Sequence, residues 1–362
     1  MTIRMDDPTQ WKPPADTAEL SAHVHGGREV RALDLSNRDF RGAKLGGGVF
    51  HEVDFRSTKL DGADLREAAL IECKFDAASL VGANLHQAVV TSCSLAGASL
   101  RGATLTGTKF NESNATGLDL SQADLRVAVF TKVVLDRAVF TGANLTRAAF
   151  LNCELAGVDL RGLRLESVTL LETDLRTTLL TGAELERCTL IRSNLAGMRL
   201  AGMRFLHTQF TEANCEGVDF TNADLGNANF KGAKLVKARL TGARAPMVLF
   251  VEADLSHADL KGADLTQSIF MDARMEKVHC AKATMYQCIL QRAKCRDAVF
   301  RDADLTYADF SQADLAGADL TGATLFRTNL HGVKDAGARI PGRAAALGTD
   351  PELAAAQSWR PK

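Results

Sequence analysis

Four pieces of the chain, RGAKL (41–45), DGADL (61–65), VGANL (81–85) and RGATL (101–105), begin twenty residues apart and decide its fold. Within them and between them a Leu or Phe recurs every fifth residue. From Leu35 to Leu330, sixty positions are multiples of five; thirty-six are Leu and sixteen Phe, so the register never slips by a residue. The residue two before each of these centres is usually small, as in Ala63, Ala83, Cys93, Ala143 and Ala263, and the residue between is usually polar. A step of five fits neither a helix, whose apolar stripe would wind round the cylinder, nor a long strand, whose alternation has period two. It fits a short extended piece followed by a corner, repeated, with the large and small apolar residues inward on every side.

Glycine sets the number of sides. Gly stands three residues before the centre at 42, 62, 82, 102, 142, 162, 182, 202, 242, 262 and 322, all in one phase of a twenty-residue cycle. Four quintets fill that cycle, so the unit is a square coil, and one corner in four is expected to need glycine more than the others. Phe50, Phe110, Phe130, Phe150, Phe210, Phe230, Phe250, Phe270 and Phe310 likewise share one phase, which predicts a column of stacked rings in the core.

Quintets such as ADLRE (63–67), ANLHQ (83–87), ANLTR (143–147), ADLSH (253–257) and ADLAG (313–317) resemble the A-[DN]-L-x-x consensus of the pentapeptide repeat family. The resemblance covers residues 31–334. It implies an all-β fold, a right-handed quadrilateral parallel β-helix of about fifteen coils of twenty residues; the handedness comes from the resemblance alone. The flanks are a non-repeat segment, residues 1–30, and a tail, residues 335–362. DTAE (16–19) has capping-box spacing, and DPELAAAQSW begins with an N-cap Asp350 and Pro351 at the first helical position; the flanks read either as disordered termini or as segments with short helices that cover an end or dock a partner. Trp11 and Trp359 both lie in the flanks.

Two stretches depart from the pattern. Ala245 and Pro246 interrupt one coil, and the centres Met275, Cys280, Met285 and Cys295 are expected to loosen the core around them, by about 1–2 kcal/mol each against Leu.

The formal charge of -1 gives no strongly basic surface for nucleic acid. There is no apolar run of membrane-span length and no signal-peptide pattern, and the eight cysteines read as reduced interior residues, which together predict a soluble cytoplasmic protein. No nucleophile elbow, phosphate loop or zinc spacing occurs; His279 should face out while Cys280, Cys288 and Cys295 face in. The reading is of a non-enzyme with no cofactor and no metal.

The informative surface flanks the Phe column. Ile71, Val89, Val129, Leu151, Leu171, Ile191, Leu249, Val251, Ile269, Met271 and Ile289 stand beside its centres and are expected to line an outward apolar stripe, densest over 129–191 and 249–289. An apolar stripe of that length exceeds what monomers usually expose. The expected function is a protein-binding scaffold, engaging an unidentified protein partner or a second copy as a homodimer, with no direct nucleic acid and no membrane contact. Resemblance to the family's topoisomerase-protecting members implies an alternative, a DNA mimic acting on DNA gyrase or topoisomerase; the basic clusters Arg187, Arg192, Arg199, Arg204 and Lys277, Lys282, Arg292, Lys294, Arg296 interrupt any acidic track. Resemblance to uninterrupted rods of similar length implies another, an accessory protein of a contractile, type VI-like secretion system.

Overall fold

A computed structural model describes residues 13–359 of the chain, so Trp11 lies outside the described residues. Two compact units are present, Met1–Ala183 and Glu184–Lys362.

The first unit opens with helix α1, Thr17–His25. Asp16 caps it by accepting from the Glu19 amide at 2.9 Å, and Glu19 reaches back to accept from the Ala15 amide at 2.7 Å. Leu20 and Val24 point from α1 into the core. Gly48 makes room for Val24 and the Phe50 ring: a Cβ there would stand 2.7 Å from the ring and 2.9 Å from Val24. The chain then winds through eight short parallel strands, β1 (Val30–Arg31), β2 (Val49–His51), β3 (Ala69–Ile71), β4 (Val89–Thr91), β5 (Lys109–Asn111), β6 (Val129–Thr131), β7 (Ala149–Leu151) and β8 (Thr169–Leu171). Each pairs with the next twenty residues on, Phe110 opposite Phe130 and Phe130 opposite Phe150, in one sheet of order β1 to β8. The other sides of the coil bridge through single residues at the same spacing, such as Asp64 with Asn84 and Ser79 with Ser99.

In the second unit the same spacing persists, but every side is reduced to single bridges, for example Gln209–Asn229 and Leu249–Ile269. The expected count of about fifteen coils is therefore corrected. The continuous sheet of strands marks about seven windings, and the extended pieces beyond β8 shorten to one bridging residue. The fold is an all-β parallel solenoid with little helix.

One position accompanies that change. It is the small residue just past the corner that follows the Phe-bearing side. In the second unit it is alanine six times running, and Ala213, Ala233, Ala253, Ala273, Ala293 and Ala313 each donate their amide to the carbonyl three residues back, closing a tight turn at 2.8–3.1 Å. In the first unit it is Val53, Cys73, Cys93, Ser113, Val133, Cys153 or Thr173. There the corner is an open bend; where the side chain carries a donor it bonds the carbonyl two residues back, Ser113 Oγ to Asn111 at 2.8 Å, Thr173 Oγ1 to Leu171 at 3.1 Å and Cys73 Sγ to Ile71 at 3.3 Å, and at Val53 and Val133 the corner is open without any donor. Bulk alone does not open a corner, since Thr58 and Val158 sit at closed turns on other edges.

The centres form the core. All nine phenylalanines of the column are buried. They stack in register, with Phe110–Phe130 and Phe130–Phe150 centroids at 4.8 and 5.0 Å and Phe210–Phe230 at 4.5 Å. Ala245, Met275, Cys280, Met285 and Cys295 are fully buried too. The coil does not loosen there: the amides of Met275, Cys280 and Cys295 reach the next coil at 2.7–2.8 Å. Sulfur fills the irregular gap left by leucine. Pro246 occupies the first corner position, where its fixed φ suits the turn and no amide is needed, and its carbonyl still accepts from Asn227.

The corners correct the reading of glycine. Left-handed φ is found on all four edges, at Asn37, Glu52, Ser57 and Glu67 as well as at Gly42 and Gly62. A Cβ at Gly42, Gly62, Gly82 or Gly102 would meet nothing within 4 Å. One corner therefore does not need glycine more than its neighbours do, and nothing in the surroundings explains its phase.

The second unit closes with a short 3-10 turn, Arg343–Ala345, and helix α2, Pro351–Ser358. Leu347 bridges Asn329, and His331 is gripped from both sides, its Nδ1 accepting from the Asp350 amide at 3.2 Å and its Nε2 donating to Gln357 at 3.1 Å. No described helix is long and apolar enough to cross a membrane.

Candidate partner-binding surface

On the side that carries the Phe column, the residues just before and just after each centre face outward and are shaded by the same residue one coil up and one coil down. That shading sets their exposure. In the first unit Ile71, Val89, Val129, Leu151 and Leu171 are all half-buried, stacked as Val129 on Lys109 and Leu171 on Leu151. Lys109 and Asn111 on β5 interrupt the apolar run. In the second unit Ile191, Val251, Ile269, Met271 and Ile289 are half-buried, and Leu249 is exposed. Ile191 belongs to the second unit, so the expected patch over 129–191 rests in the first unit on Val129, Leu151 and Leu171. The patch over 249–289 is continuous through the bridges Leu249–Ile269 and Ile269–Ile289, bounded by Asn229 on one side and Asp309 on the other.

The corner that leads into that side was not singled out from the sequence, and it is the more exposed surface. Met247 is 49% exposed, Tyr307 41% and Phe326 52%. Tyr286, Tyr307 and Phe326 meet edge to face, with centroids 5.9 and 5.7 Å apart, and the Arg327 guanidinium lies 5.9 Å from the Phe326 centroid. Further back along the same corner, Leu206 and Pro246 close over Gly226. A signal was available: these are both tyrosines of the chain, and Phe326 is the one phenylalanine that does not stand at a multiple of five. Leu347 of the tail is exposed in the same column, separated from Ile289 by Asp309 and Asn329. In the first unit the exposed large apolar residues are Val49, Val81, Val127, Val139 and Leu179, all aliphatic and scattered over different sides.

The structure does not bring together the histidine and cysteines singled out from the sequence. His279 faces out with Nδ1 3.4 Å from Asp259, while Cys280, Cys288 and Cys295 lie in the core, where burial lifts the Cys288 thiol to about 12 and raises Cys280 and Cys295 as well. Burial likewise lifts Cys153 to about 11. Thiols held so far above neutral pH are poor nucleophiles and poor metal ligands. Within the basic clusters, Arg292 pairs with Asp272 and Arg296 with Asp314, each at 2.6 Å.

Comparison with known proteins agrees with this architecture. The model of the family described as pentapeptide repeats matches residues 123–244 and 250–332 in eight copies, and a second, described as a pentapeptide repeat region, matches residues 43–120. No curated protein matches the chain. Among solved structures, a trypsin-treated form of QnrB1, a plasmid-mediated fluoroquinolone resistance protein, is 21% identical over 49% of this chain and 90% of its own, with a TM-score of 0.45. HetL, a pentapeptide repeat protein involved in heterocyst differentiation regulation in Nostoc sp. strain PCC 7120, is 21% identical over 86% of this chain and 95% of its own, with a TM-score of 0.13. The matched repeats span well over half the chain, and the protein belongs to the pentapeptide repeat family.

Proposed function

We propose that this protein is a non-enzymatic scaffold that binds a protein partner through the Phe-column side of its second unit and the corner leading into that side. The observation that carries the reading is that Met247 and Leu249 and, three windings on, Tyr307 and Phe326, each more than a third exposed, stand along the same edge of the second unit. Tyr, Met and Arg beside a centre of aliphatic side chains is the composition of protein-binding hot spots, whereas scattered valines are ordinary surface. A partner that covers the edge removes apolar area from water at about 25 cal/mol per Å². The ends are less suited to binding, since α1 covers the start of the first unit and His331 holds the tail across the end of the second.

The test is a triple substitution, Met247→Asp, Tyr307→Asp and Phe326→Asp, in cross-linked affinity capture and light scattering. These side chains point outward, so the melting temperature is expected to hold. Wild type is expected to retain a discrete partner, or to run as a dimer if the partner is a second copy, and the variant to lose it. An identical partner set and identical mass for both proteins would refute the proposal.

A further inference from the structure

Near the start of the first unit β2 ends on His51, the corner after it carries Glu52, and the corner after β3 carries Glu72. The twenty-residue winding places Glu72 one coil from Glu52, both at left-handed φ, 54° and 58°. Their carboxylate oxygens and an imidazole nitrogen of His51 all lie within 4.8 Å of one another. The glutamates are exposed at this corner, whereas the His51 side chain is only 17% exposed. Its Nδ1 is shut off from solvent and stands 3.2 Å from Glu52 Oε1, without the alignment of a hydrogen bond to that or to any other described group.

The charge pattern differs from that further along the first unit. Further along it, Glu112 is followed one coil on by Lys132, whose Nζ stands 3.1 Å away. Glu52 is followed by another carboxylate, and its cationic neighbour is Arg31 in the preceding coil, paired with it at 3.8 Å. Two like charges one coil apart cost free energy that a cation between them recovers. An imidazole nitrogen shielded from water and two exposed carboxylates supply three donors for such a cation.

We propose that His51, Glu52 and Glu72 form a site for a borderline divalent cation of the zinc class. The imidazole selects against magnesium and calcium, which prefer all-oxygen shells, and two carboxylates balance the double charge. Bonds of about 2.0–2.2 Å need donor atoms about 3–3.5 Å apart. Rotation of the two exposed glutamate side chains closes the difference without moving the backbone. Water completes the shell on the open side. The bound ion ties the second winding to the third beside the α1 end of the unit, so binding stabilises that end.

Titration calorimetry on the full chain with zinc, and separately with magnesium and calcium, tests the site. One zinc per chain is expected, with no magnesium or calcium heat. His51→Ala and Glu72→Gln are each expected to weaken zinc binding by about 10-fold or more, while His25→Ala on α1 leaves it unchanged. Melting of the metal-free variants separates loss of the site from loss of the fold, and anomalous scattering from a zinc-soaked crystal locates the ion. Absence of zinc binding by wild type overturns the proposal. Equal binding by wild type and the His51 variant, or an ion located elsewhere, does the same.

Discussion

The two units obey one five-residue rule inside and differ outside it. Both fill their cores with the same alternation of large and small apolar residues, and both stack phenylalanine on phenylalanine at 4.5–5.4 Å. Their ion pairs differ in kind. In the first unit most join residues two apart in one quintet: Asp54–Arg56, Asp64–Arg66, Asp124–Arg126, Asp159–Arg161 and Asp174–Arg176. In the second they join neighbouring coils: Arg239–Asp219, Arg244–Asp224, Arg292–Asp272, Arg296–Asp314 and Arg301–Asp319. A pair two residues apart forms within the unfolded chain as readily as in the fold and contributes little to winding. A pair across coils exists only when the winding exists. The first unit instead gains cohesion along one side from three-residue strands, which the second replaces with closed corners and charge.

If the cores are equivalent, they should fail equally. Phe130→Ala and Phe230→Ala each remove a fully buried ring stacked on both neighbours, and each is expected to cost about 3–5 kcal/mol. Because a coil contacts only its neighbours, the loss should fall on the unit that carries the substitution, read by amide exchange resolved along the chain. Uniform loss of protection over both units would remove the distinction between them.

The corner is the next way to break the comparison. Replacing Cys93 and Cys153 with alanine removes the thiols that donate to the Thr91 and Leu151 carbonyls. The expected outcome is that the amide of residue 93 turns to the Val90 carbonyl, as the amide of Ala253 does to Phe250 at 3.1 Å in the second unit, with β4 shortened to a bridge. The cost is about 1 kcal/mol per site for the small void left. A crystal structure of the double variant with β4 and its open corner intact would show that these corners stay open without a donor, as those at Val53 and Val133 do.

Much of this was legible in the sequence because the core imposes it. A Leu or Phe at each multiple of five has nowhere to go but inward, so the winding, the buried Phe column and the outward polar residues followed from spacing. The corners were less legible. Left-handed backbone is required on every edge, and polar residues such as Glu52, Ser57 and Glu67 accept the modest strain as glycine does, so glycine's phase gave the twenty-residue winding but marked no corner that needs glycine more than the others. The surface was least legible. The residues beside the Phe column were sought there because they are apolar, yet the neighbouring coils shade them to half-burial. Tyr307 and Phe326 project from a corner with nothing stacked directly outside them, and a period-five search discards residues off the fifth position. The His51–Glu52–Glu72 cluster escaped for the related reason that Glu72 is remote in sequence and adjacent only through the winding.

The smallest expected effect concerns the charges. Asp319 accepts from the Thr321 hydroxyl and amide and then from Arg301 in the preceding coil, which together hold its carboxyl down to about 2, against 3.8 ordinarily. A carboxyl whose folded value is depressed binds its proton more readily when unfolded. Its contribution is therefore complete above about pH 4 and disappears as pH falls towards 2. Asp224 and Asp219 add pairs of the same cross-coil kind, at 3.1 and 2.5 Å from Arg244 and Arg239. Exposed pairs contribute about 0.2–1 kcal/mol each and weaken with salt. Asp319→Asn keeps an acceptor oxygen for the Thr321 amide and removes the charge, so the urea midpoint of the second unit should depend less on pH between 4 and 2 in the variant than in wild type. Asp124→Asn in the first unit, whose partner Arg126 is two residues away, should leave its unit's salt dependence nearly unchanged, whereas Asp224→Asn should flatten that of the second. Equal salt slopes for the two variants would mean that pairs across coils stabilise the winding no more than pairs within a quintet.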